Sequence, residues 1–310
     1  MGYVKLSELL ARSPVDVPRL ITERVRALGV GGVLKALGER LKGLDEVALD
    51  VLSALMVGRH VVLVGPVGVG KTTLAEAVAE ILSLGDPPYV EVACHSHMTA
   101  VDLTGDIDIA VVLQAGLDHP LAYIPGPLVE AHGRILVLDE INRLNPYSQA
   151  ALLQALQEHY VVVRGYRIRS DFAMIGTANP SEYEGVYELS EALADRVKFV
   201  EMDYPSADVL RAVLKWRVEE ALRHIGVEVP DYVIELAAKF AENLREAGAP
   251  ASIRALTYSI AGAIAKSWAK GGDISLSELK RQIRANFSRQ LRRDDADEII
   301  DRALLKAANG

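Results

Sequence analysis

The sequence has 310 residues, of which 50% are hydrophobic and 25% are charged, and its formal net charge is −8 at pH 7. This composition is typical of a soluble globular protein of one or two domains, and the acidic balance argues against a dedicated nucleic-acid binder. A single cysteine, Cys94, permits no internal disulfide, and we find neither a signal-peptide pattern nor an apolar run long enough to cross a bilayer. We therefore expect a cytoplasmic protein without membrane insertion.

The first predicted elements are helices. Residues 1–42 carry leucine, isoleucine and valine at helical spacing, which predicts a helical amino-terminal extension, and residues 43–57 follow as an amphipathic helix. Residues 61–64 then form a run of valine and leucine that is typical of a buried parallel strand.

A glycine-rich loop follows this strand directly. Residues 65–72 read Gly-Pro-Val-Gly-Val-Gly-Lys-Thr and match the phosphate-binding pattern G-x-x-x-x-G-K-[ST] at every fixed position. Glycines let consecutive backbone N–H groups turn around a phosphate, and the following helix directs its positive end at the same charge. The pattern predicts that Lys71 reaches the β- and γ-phosphates and that Thr72 holds Mg²⁺. The predicted nucleotide-binding residues are Gly65, Pro66, Val67, Gly68, Val69, Gly70, Lys71, Thr72 and Thr73.

Strands and helices alternate along the chain after this loop. The predicted strands are at 61–64, 89–94, 135–138, 172–175 and 197–201. Such alternation predicts an α/β fold with a parallel five-stranded sheet that is covered by helices on both faces. From Ser206 onward the pattern is helical throughout, so we expect an α/β nucleotide-binding core at 43–205 and a smaller all-α lid domain at 206–310.

Polar side chains follow two of the predicted strands. Asp139 and Glu140 end the strand at 135–138, and ligands of open parallel sheets bind at such carboxyl ends. Asp139 is the candidate Mg²⁺ ligand, and Glu140 is the candidate base that polarises the attacking water. Asn179 follows the next strand and places an amide beside these acids. The alternative for Asn179, a cap of the turn before Pro180, stays open.

These motifs occur in the order that is typical of AAA+ ATPases, and within that group the chain resembles the MoxR family over roughly residues 43–290. The resemblance rests on the phosphate loop and on segments 138–143, 149–158, 177–180, 187–196 and 249–255. It implies an AAA+ P-loop NTPase core in which Asn179 is sensor 1, Arg196 is the arginine finger that enters the neighbouring subunit's site, and Arg254 is sensor 2. Arg143 competes for the finger role.

The same resemblance implies an ATP-hydrolysing motor that uses ATP and Mg²⁺ and assembles as a ring, a hexamer in this family. It implies chaperone-like remodelling or maturation of a protein partner that carries a von Willebrand factor A domain. Residues 103–127 look like the helix-2 insert, in which a β-hairpin interrupts a helix, and residues 160–169 look like the hairpin before sensor 1.

Other functions remain as alternatives. A DNA-acting motor related to MCM-type helicases would use the basic run at 280–293, and a magnesium-chelatase-like motor subunit or a non-catalytic nucleotide-gated scaffold would use the same fold. The basic residues of that run are Lys280, Arg281, Arg284, Arg289, Arg292 and Arg293.

The segment from Cys94 to His97 suggests a metal site, but ligands so close together cannot easily complete a tetrahedral site, so we expect a polar loop there.

Overall fold

A computed structural model describes residues 5–179, 187–288, 291 and 295–309. The chain divides into two compact units, one with the described residues of Met1–Gly65 and Lys71–Met202 and the other with those of Pro66–Gly70 and Asp203–Gly310. The described residues contain fifteen α-helices and nine strands. No described helix is long and apolar enough to cross a membrane. The domain boundaries at 42/43 and 205/206 stay predictions.

The strands of the first unit are β1 His60–Val64, β2 Tyr89–Ala93, β3 Gly105–Ile107, β4 Tyr123–Pro125, β5 Ile135–Asp139, β6 Tyr160–Val163, β7 Tyr166–Arg169, β8 Ala173–Ala178 and β9 Val197–Glu201. Five of them form one parallel sheet in the order β2-β5-β8-β1-β9. The fold class predicted from the sequence is therefore confirmed. The predicted strands agree to within a residue at each end, except that β8 continues three residues beyond position 175.

The first ten helices also belong to this unit. They are α1 Leu6–Leu10, α2 Val17–Leu28, α3 Val30–Gly38, α4 Asp45–Met56, α5 Lys71–Leu82, α6 Ala100–Thr104, α7 Ile109–Ala115, α8 Pro127–Glu130, α9 Pro146–Glu158 and α10 Glu191–Ala194. A short 3₁₀ helix, Ile141–Arg143, follows β5. The central strands β5 and β8 are buried along almost their whole length, which explains their nearly continuous apolar sequences.

Two small antiparallel pairs lie outside the main sheet. β3 pairs with β4 inside the predicted insert at 103–127, although helix α7 rather than a tight turn connects the two strands. β6 pairs with β7, and the connecting residues Arg164 and Gly165 both have positive φ, which is the geometry of a type I′ hairpin turn. Arg164 also forms a two-pronged ion pair with Asp106, at 3.0 and 3.2 Å, so the hairpin is tied to the insert. Both predicted hairpins are confirmed as paired strands.

The second unit contains the remaining helices. They are α11 Ala207–Leu222, α12 Asp231–Glu246, α13 Ile253–Ala269, α14 Leu276–Phe287 and α15 Ala296–Asn309. Their buried faces form one apolar core in which the rings of Phe240 and Phe287 meet edge to face at 5.2 Å. Ser252 and Ser275 cap α13 and α14 by accepting hydrogen bonds from backbone N–H groups three residues further on.

Candidate active site

The phosphate-binding loop begins where β1 ends, and its glycines are sterically required. A Cβ atom on Gly65 would lie 2.0 Å from the backbone oxygen of Met202, closer than any real contact allows. Gly68 has a φ of +83°, a left-handed conformation that other residues adopt only with strain. The local backbone therefore explains why glycine occupies these two positions of the motif.

Lys71 is the first residue of α5, and its ammonium group is buried. Its Nζ donates to the carbonyl oxygen of Gly65 at 2.7 Å and to Oδ1 of Asn179 at 3.0 Å. Burial lowers the pKa of Lys71 to about 8, while the nearby carboxylates of Asp139 and Glu140 oppose that shift. The lysine thus carries a positive charge at neutral pH and donates to acceptor groups of the loop and of a strand end.

Asp139 is the last residue of β5, and its carboxylate accepts hydrogen bonds from two hydroxyl groups. Its Oδ1 accepts hydrogen bonds from Oγ1 of Thr72 and from Oγ1 of Thr177, each at 2.6 Å. Carboxylate and hydroxyl oxygens are suitable ligands for Mg²⁺, which normally keeps one or two protein ligands and takes the rest from phosphates and water. Within the described residues, no group of three or more His, Cys, Asp or Glu side chains could hold a metal ion by itself. The donor set therefore fits a magnesium ion that a polyphosphate accompanies.

Glu140 adopts a left-handed backbone conformation, with φ 55° and ψ 48°. Such a conformation is uncommon for glutamate and persists where neighbouring contacts hold it. Its N–H donates to Oγ1 of Thr177 at 2.9 Å, and its carboxylate accepts from Nδ2 of Asn179 at 3.0 Å. The carboxylate also forms an ion pair with Arg143. Three contacts thus fix the candidate base at the end of the sheet.

Asn179 joins the phosphate loop to the candidate base. Its Oδ1 accepts from Lys71 while its Nδ2 donates to Glu140, an arrangement that only one orientation of the amide permits. Its backbone oxygen accepts from Nδ2 of Asn142 at 2.8 Å. The structure therefore brings together five of the residues that the sequence singled out, namely Lys71, Thr72, Asp139, Glu140 and Asn179.

Three further residues complete this cluster: Thr177 and Asn142, to which the sequence assigned no role, and Arg143, which it named as a competitor for the finger role. Thr177 contacts both acids, Asn142 holds the backbone of Asn179, and Arg143 pairs with Glu140 in the same chain. A signal for Thr177 existed, because a hydroxyl residue two positions before Asn179 points to the same side of a strand. No comparable pattern marked Asn142 or the pairing of Arg143 with Glu140, because both residues follow the strand in a 3₁₀ helix.

The structure places Arg196 away from this cluster. Arg196 directly precedes β9, which pairs with β1 so that Val197 lies opposite His60 and Glu201 opposite Val64. Arg196 therefore lies at the amino-terminal edge of the sheet, whereas the phosphate loop follows the carboxyl-terminal end of β1. Five strand residues at about 3.3 Å each separate the two edges by about 15 Å.

The side chain of Arg196 pairs with Asp195, its neighbour in the chain, and lines a cavity of about 230 Å³. Arg59, His60 and His159 line the same cavity. Burial lowers the pKa of His60 to about 4, so this imidazole is neutral at physiological pH. Arg59 donates to the backbone oxygen of Val197 at 3.3 Å and so contacts the backbone one residue beyond Arg196.

Arg254 belongs to the second unit, where it is the second residue of α13 and its side chain is exposed. Ser252, the cap of that helix, contacts the phosphate loop: a Cβ atom on Gly68 would lie 2.5 Å from Oγ of Ser252. The middle of the loop, Pro66–Gly70, is part of the same compact unit. The loop and the start of α13 are therefore in direct contact.

The parallel sheet in the order β2-β5-β8-β1-β9, with a phosphate loop after β1 and two acids after β5, is the fold of the AAA+ P-loop NTPases. Residues 60–197 match the model of the AAA domain (dynein-related subfamily). The matched stretch runs from β1 to the start of β9 and shows what this part of the chain is similar to. The MoxR resemblance goes further than this match and stays a prediction.

Individual proteins are also similar to this chain in sequence or in structure. The chain is 34% identical over 180 residues to the uncharacterized protein YeaC of Bacillus subtilis (strain 168), a match that covers 57% of this chain and 53% of YeaC. The chain thus spans about half of the length of this relative.

Two solved structures share the fold at low sequence identity. The RuvB Holliday junction branch migration motor of Thermotoga maritima superposes with a TM-score of 0.51 at 21% identity, covering 85% of this chain and 74% of RuvB. NtrX of Brucella abortus, solved in complex with ADP, gives a TM-score of 0.51 at 18% identity, covering 82% of this chain and 57% of NtrX. At these identities the likeness extends to the fold alone.

Proposed function

We propose that this chain is an ATP-hydrolysing AAA+ motor of the MoxR type, which assembles as a hexameric ring in the cytoplasm and remodels or matures a protein partner. The single observation that carries the hydrolytic part is the hydrogen-bonded series from Lys71 through Asn179 to Glu140. It links the residue that would bind phosphate to the residue that would activate water, as an ATPase requires.

Each residue of the cluster has a task in this proposal. The backbone N–H groups of the loop at 65–73 and the ammonium group of Lys71 hold the phosphates of ATP. Thr72 and Asp139 would hold Mg²⁺, which withdraws charge from the phosphate oxygens when it is bound. Glu140 accepts a proton from the attacking water, and Asn179 as sensor 1 keeps the carboxylate oriented toward it. Arg254, as sensor 2, contacts the γ-phosphate.

The position of Arg196 supports its assignment as an arginine finger that acts on a neighbouring subunit. A side chain at the amino-terminal edge of the sheet is about 15 Å from the loop at the opposite edge, too far for a guanidinium to reach. Arg143, in contrast, pairs with Glu140 of its own chain, so we assign it to the site of its own subunit. Each active site is then complete only within a ring.

The protein partner is inferred from the resemblance, and one structural observation supports it. Helix α7 of the insert buries none of its residues, and Ile109 and Leu113 on this helix are 61% and 82% exposed. Exposed apolar side chains at this spacing form a surface that a protein can cover. We propose a partner with a von Willebrand factor A domain for this motor.

The described part of the basic run does not favour the DNA-acting alternative. Arg281 pairs with Glu278, and Arg284 with Asp301 at 3.3 Å, so these cations are already matched by acids. Arg289, Arg292 and Arg293 lie outside the described residues. Stimulation of ATP hydrolysis by DNA would revive this alternative.

Replacement of Lys71 tests the proposal most simply. Lys71→Ala should reduce the affinity for Mg–ATP by at least about a hundredfold, because a charge-assisted contact to phosphate is lost in a buried site. Isothermal titration calorimetry measures this, with Lys35→Ala, an exposed lysine of α3, as the matched control. Unchanged ATP affinity in correctly folded Lys71→Ala would remove the phosphate-loop assignment and with it the proposed function.

A further inference from the structure

One buried side chain of helix α9 holds an irregular segment of the chain in place. Gln149 is buried, and its Nε2 donates to the backbone oxygens of Leu144 and Glu188 at 3.0 and 3.2 Å. Its Oε1 accepts from the backbone N–H of Ser190 at 2.9 Å. Residues 187–190 form neither helix nor strand. The amide of Gln149 therefore supplies hydrogen-bond partners that a neighbouring strand would otherwise supply.

A short series of backbone hydrogen bonds continues from this amide to Arg196. The carbonyl oxygen of Ser190 accepts from the N–H of Leu193 at 2.9 Å, and the carbonyl oxygen of Leu193 accepts from the N–H of Arg196 at 3.1 Å. The hydroxyl of Ser190 also caps α10 by accepting from the N–H of Leu193. Leu193 is fully buried in the apolar core of the first unit. The place at which Gln149 holds Ser190 thus determines where the backbone of Arg196 lies.

The same segment begins beside the candidate catalytic cluster. The N–H of Tyr187 donates to the backbone oxygen of Asn142 at 2.6 Å, and Nδ2 of Asn142 donates to the backbone oxygen of Asn179 at 2.8 Å. Residues 187–196 therefore lead from the carboxyl-terminal edge of the main sheet, where Asn179 follows β8, to the amino-terminal edge, where Arg196 precedes β9. The segment joins the two edges within one subunit.

A buried amide at this position needs a reason, because burying a polar group costs free energy unless it is hydrogen-bonded. A network in which every member has its partners rigidifies the segments that it joins. Rigidity matters for a group that must meet a phosphoryl oxygen at hydrogen-bond distance, since a displacement of about 1 Å can cost about a hundredfold in rate. The amide of Gln149 supplies such rigidity to the segment that carries Arg196.

We propose that Gln149 is a positioning residue, which fixes the direction in which Arg196 is presented to the neighbouring subunit. The inference rests on the proposed function, because it takes Arg196 to be the arginine finger. It deepens that function by naming a side chain, in the subunit that donates the finger, on which ATP hydrolysis by the adjacent subunit depends. Gln149 itself touches neither the nucleotide nor the attacking water.

The test places one substitution in either of two subunits. Gln149→Met keeps the length of the side chain and removes its three hydrogen bonds. The parent mixture combines Glu140→Gln subunits, which donate the finger, with Arg196→Ala subunits, which supply the base. In one derived mixture Gln149→Met is added to the Glu140→Gln subunit, and in the other it is added to the Arg196→Ala subunit. Phosphate release is measured for all three mixtures.

Only the first derived mixture should lose activity. We expect its rate of ATP hydrolysis to fall at least about tenfold below that of the parent mixture, because its donated fingers are misplaced. The second should hydrolyse ATP at the parent rate, since its fingers come from subunits with an intact Gln149. Calorimetry should show unchanged Mg–ATP affinity for Gln149→Met alone. Gln157→Met, at an exposed position of the same helix, is the control and should leave both mixtures at the parent rate.

A second substitution decides the matter if Gln149→Met subunits do not fold. Ser190→Ala removes the side-chain cap of α10 at an exposed position, where folding is not at risk. It should lower hydrolysis less than Gln149→Met, and again only in the subunit that donates the finger. Equal rates in the two Ser190→Ala mixtures would then overturn the inference.

A loss that is equal in both Gln149→Met mixtures would overturn the inference, because it marks a merely structural residue, and so would no loss in either. The parent mixture separates this failure from a failure of the proposed function. If the parent mixture is active and Gln149→Met has no directional effect, the shared active site stands and only the role of Gln149 falls. If the parent mixture is inactive, Arg196 is not a finger that acts between subunits, and the inference falls with that assignment.

Discussion

The two edges of the main sheet carry polar groups of different kinds. At the carboxyl-terminal edge, Lys71, Asn179 and Glu140 are joined by hydrogen bonds, and Asp139 accepts from two hydroxyl groups. At the amino-terminal edge, the side chain of Arg196 is half exposed and forms an ion pair with Asp195, its neighbour in the chain. In our proposal the first edge holds and hydrolyses a nucleotide, whereas the second offers a cation to the site of a neighbouring subunit.

This difference explains why a single chain is insufficient in our proposal. A γ-phosphoryl group that leaves carries charge that a guanidinium can neutralise. At the carboxyl-terminal edge, Arg143 is already engaged with Glu140 of the same chain. The cation at the opposite edge can act only on another copy of the chain, so ATP hydrolysis should depend on assembly.

The largest effect is expected from Arg196→Ala. This change should lower kcat for ATP hydrolysis by about a thousandfold, because an arginine finger stabilises the transition state and contributes little to binding. ATP affinity should stay within about threefold of the unchanged protein. Steady-state phosphate release and calorimetry measure the two quantities. Arg19→Ala, which removes an exposed arginine paired with Glu23, is the control. A normal kcat in Arg196→Ala would show that Arg196 is not the arginine finger.

Glu140→Gln should come next in size. The amide cannot take a proton from water, so kcat should fall about a hundredfold or more while ATP still binds. Single-turnover hydrolysis of bound ATP measures the chemical step directly. Glu158→Gln, at an exposed position, should hydrolyse ATP normally. Undiminished hydrolysis in Glu140→Gln would remove the base from the carboxyl-terminal edge.

The smallest effect concerns pH. Because the pKa of Lys71 is lowered to about 8, its charge is present below that value and is lost above it. ATP affinity should therefore decline by up to about tenfold for each pH unit above 8.

The stability of the nucleotide-free protein should instead increase over this pH range. The unfolded lysine binds a proton up to its ordinary pKa of 10.5, so this group adds stability as pH rises from 8 to 10.5.

Calorimetry at pH 7, 8 and 9 measures this decline in affinity. Lys71→Arg keeps a positive charge throughout the range, so its ATP affinity should not depend on pH in this way. The same decline in both proteins would show that Lys71 is not the titrating group.

Much of the sheet was predictable, because buried parallel strands leave continuous apolar runs such as residues 135–138. The strand β8 was predicted too short, since Gly176 and Thr177 lack the apolar character that marked its first half, although both are buried. The hairpin turn at Arg164 and Gly165 was predictable from its flanking β-branched residues. Helix α7 was not, because the family resemblance implied a β-hairpin that interrupts a helix in residues 103–127 and no helix between its two strands.

The candidate site was predictable as a set of strand ends, but its connections were not. The phosphate-loop pattern indicated Lys71, and the acids after β5 indicated Glu140. The sequence also placed Asn179 beside the acids. Its hydrogen bonds to both Lys71 and Glu140 depend on the order of strands, in which β8 separates β5 from β1, and this order is not visible in a linear pattern.

Mixing two inactive variants tests the composite site most directly. A ring that contains both Arg196→Ala and Glu140→Gln subunits has interfaces at which an intact Glu140 meets an intact Arg196 from its neighbour. ATP hydrolysis by the mixture, measured as phosphate release, should clearly exceed that of either variant alone. Activity no greater than the weighted mean of the two separate proteins would contradict the proposal that adjoining subunits share each active site.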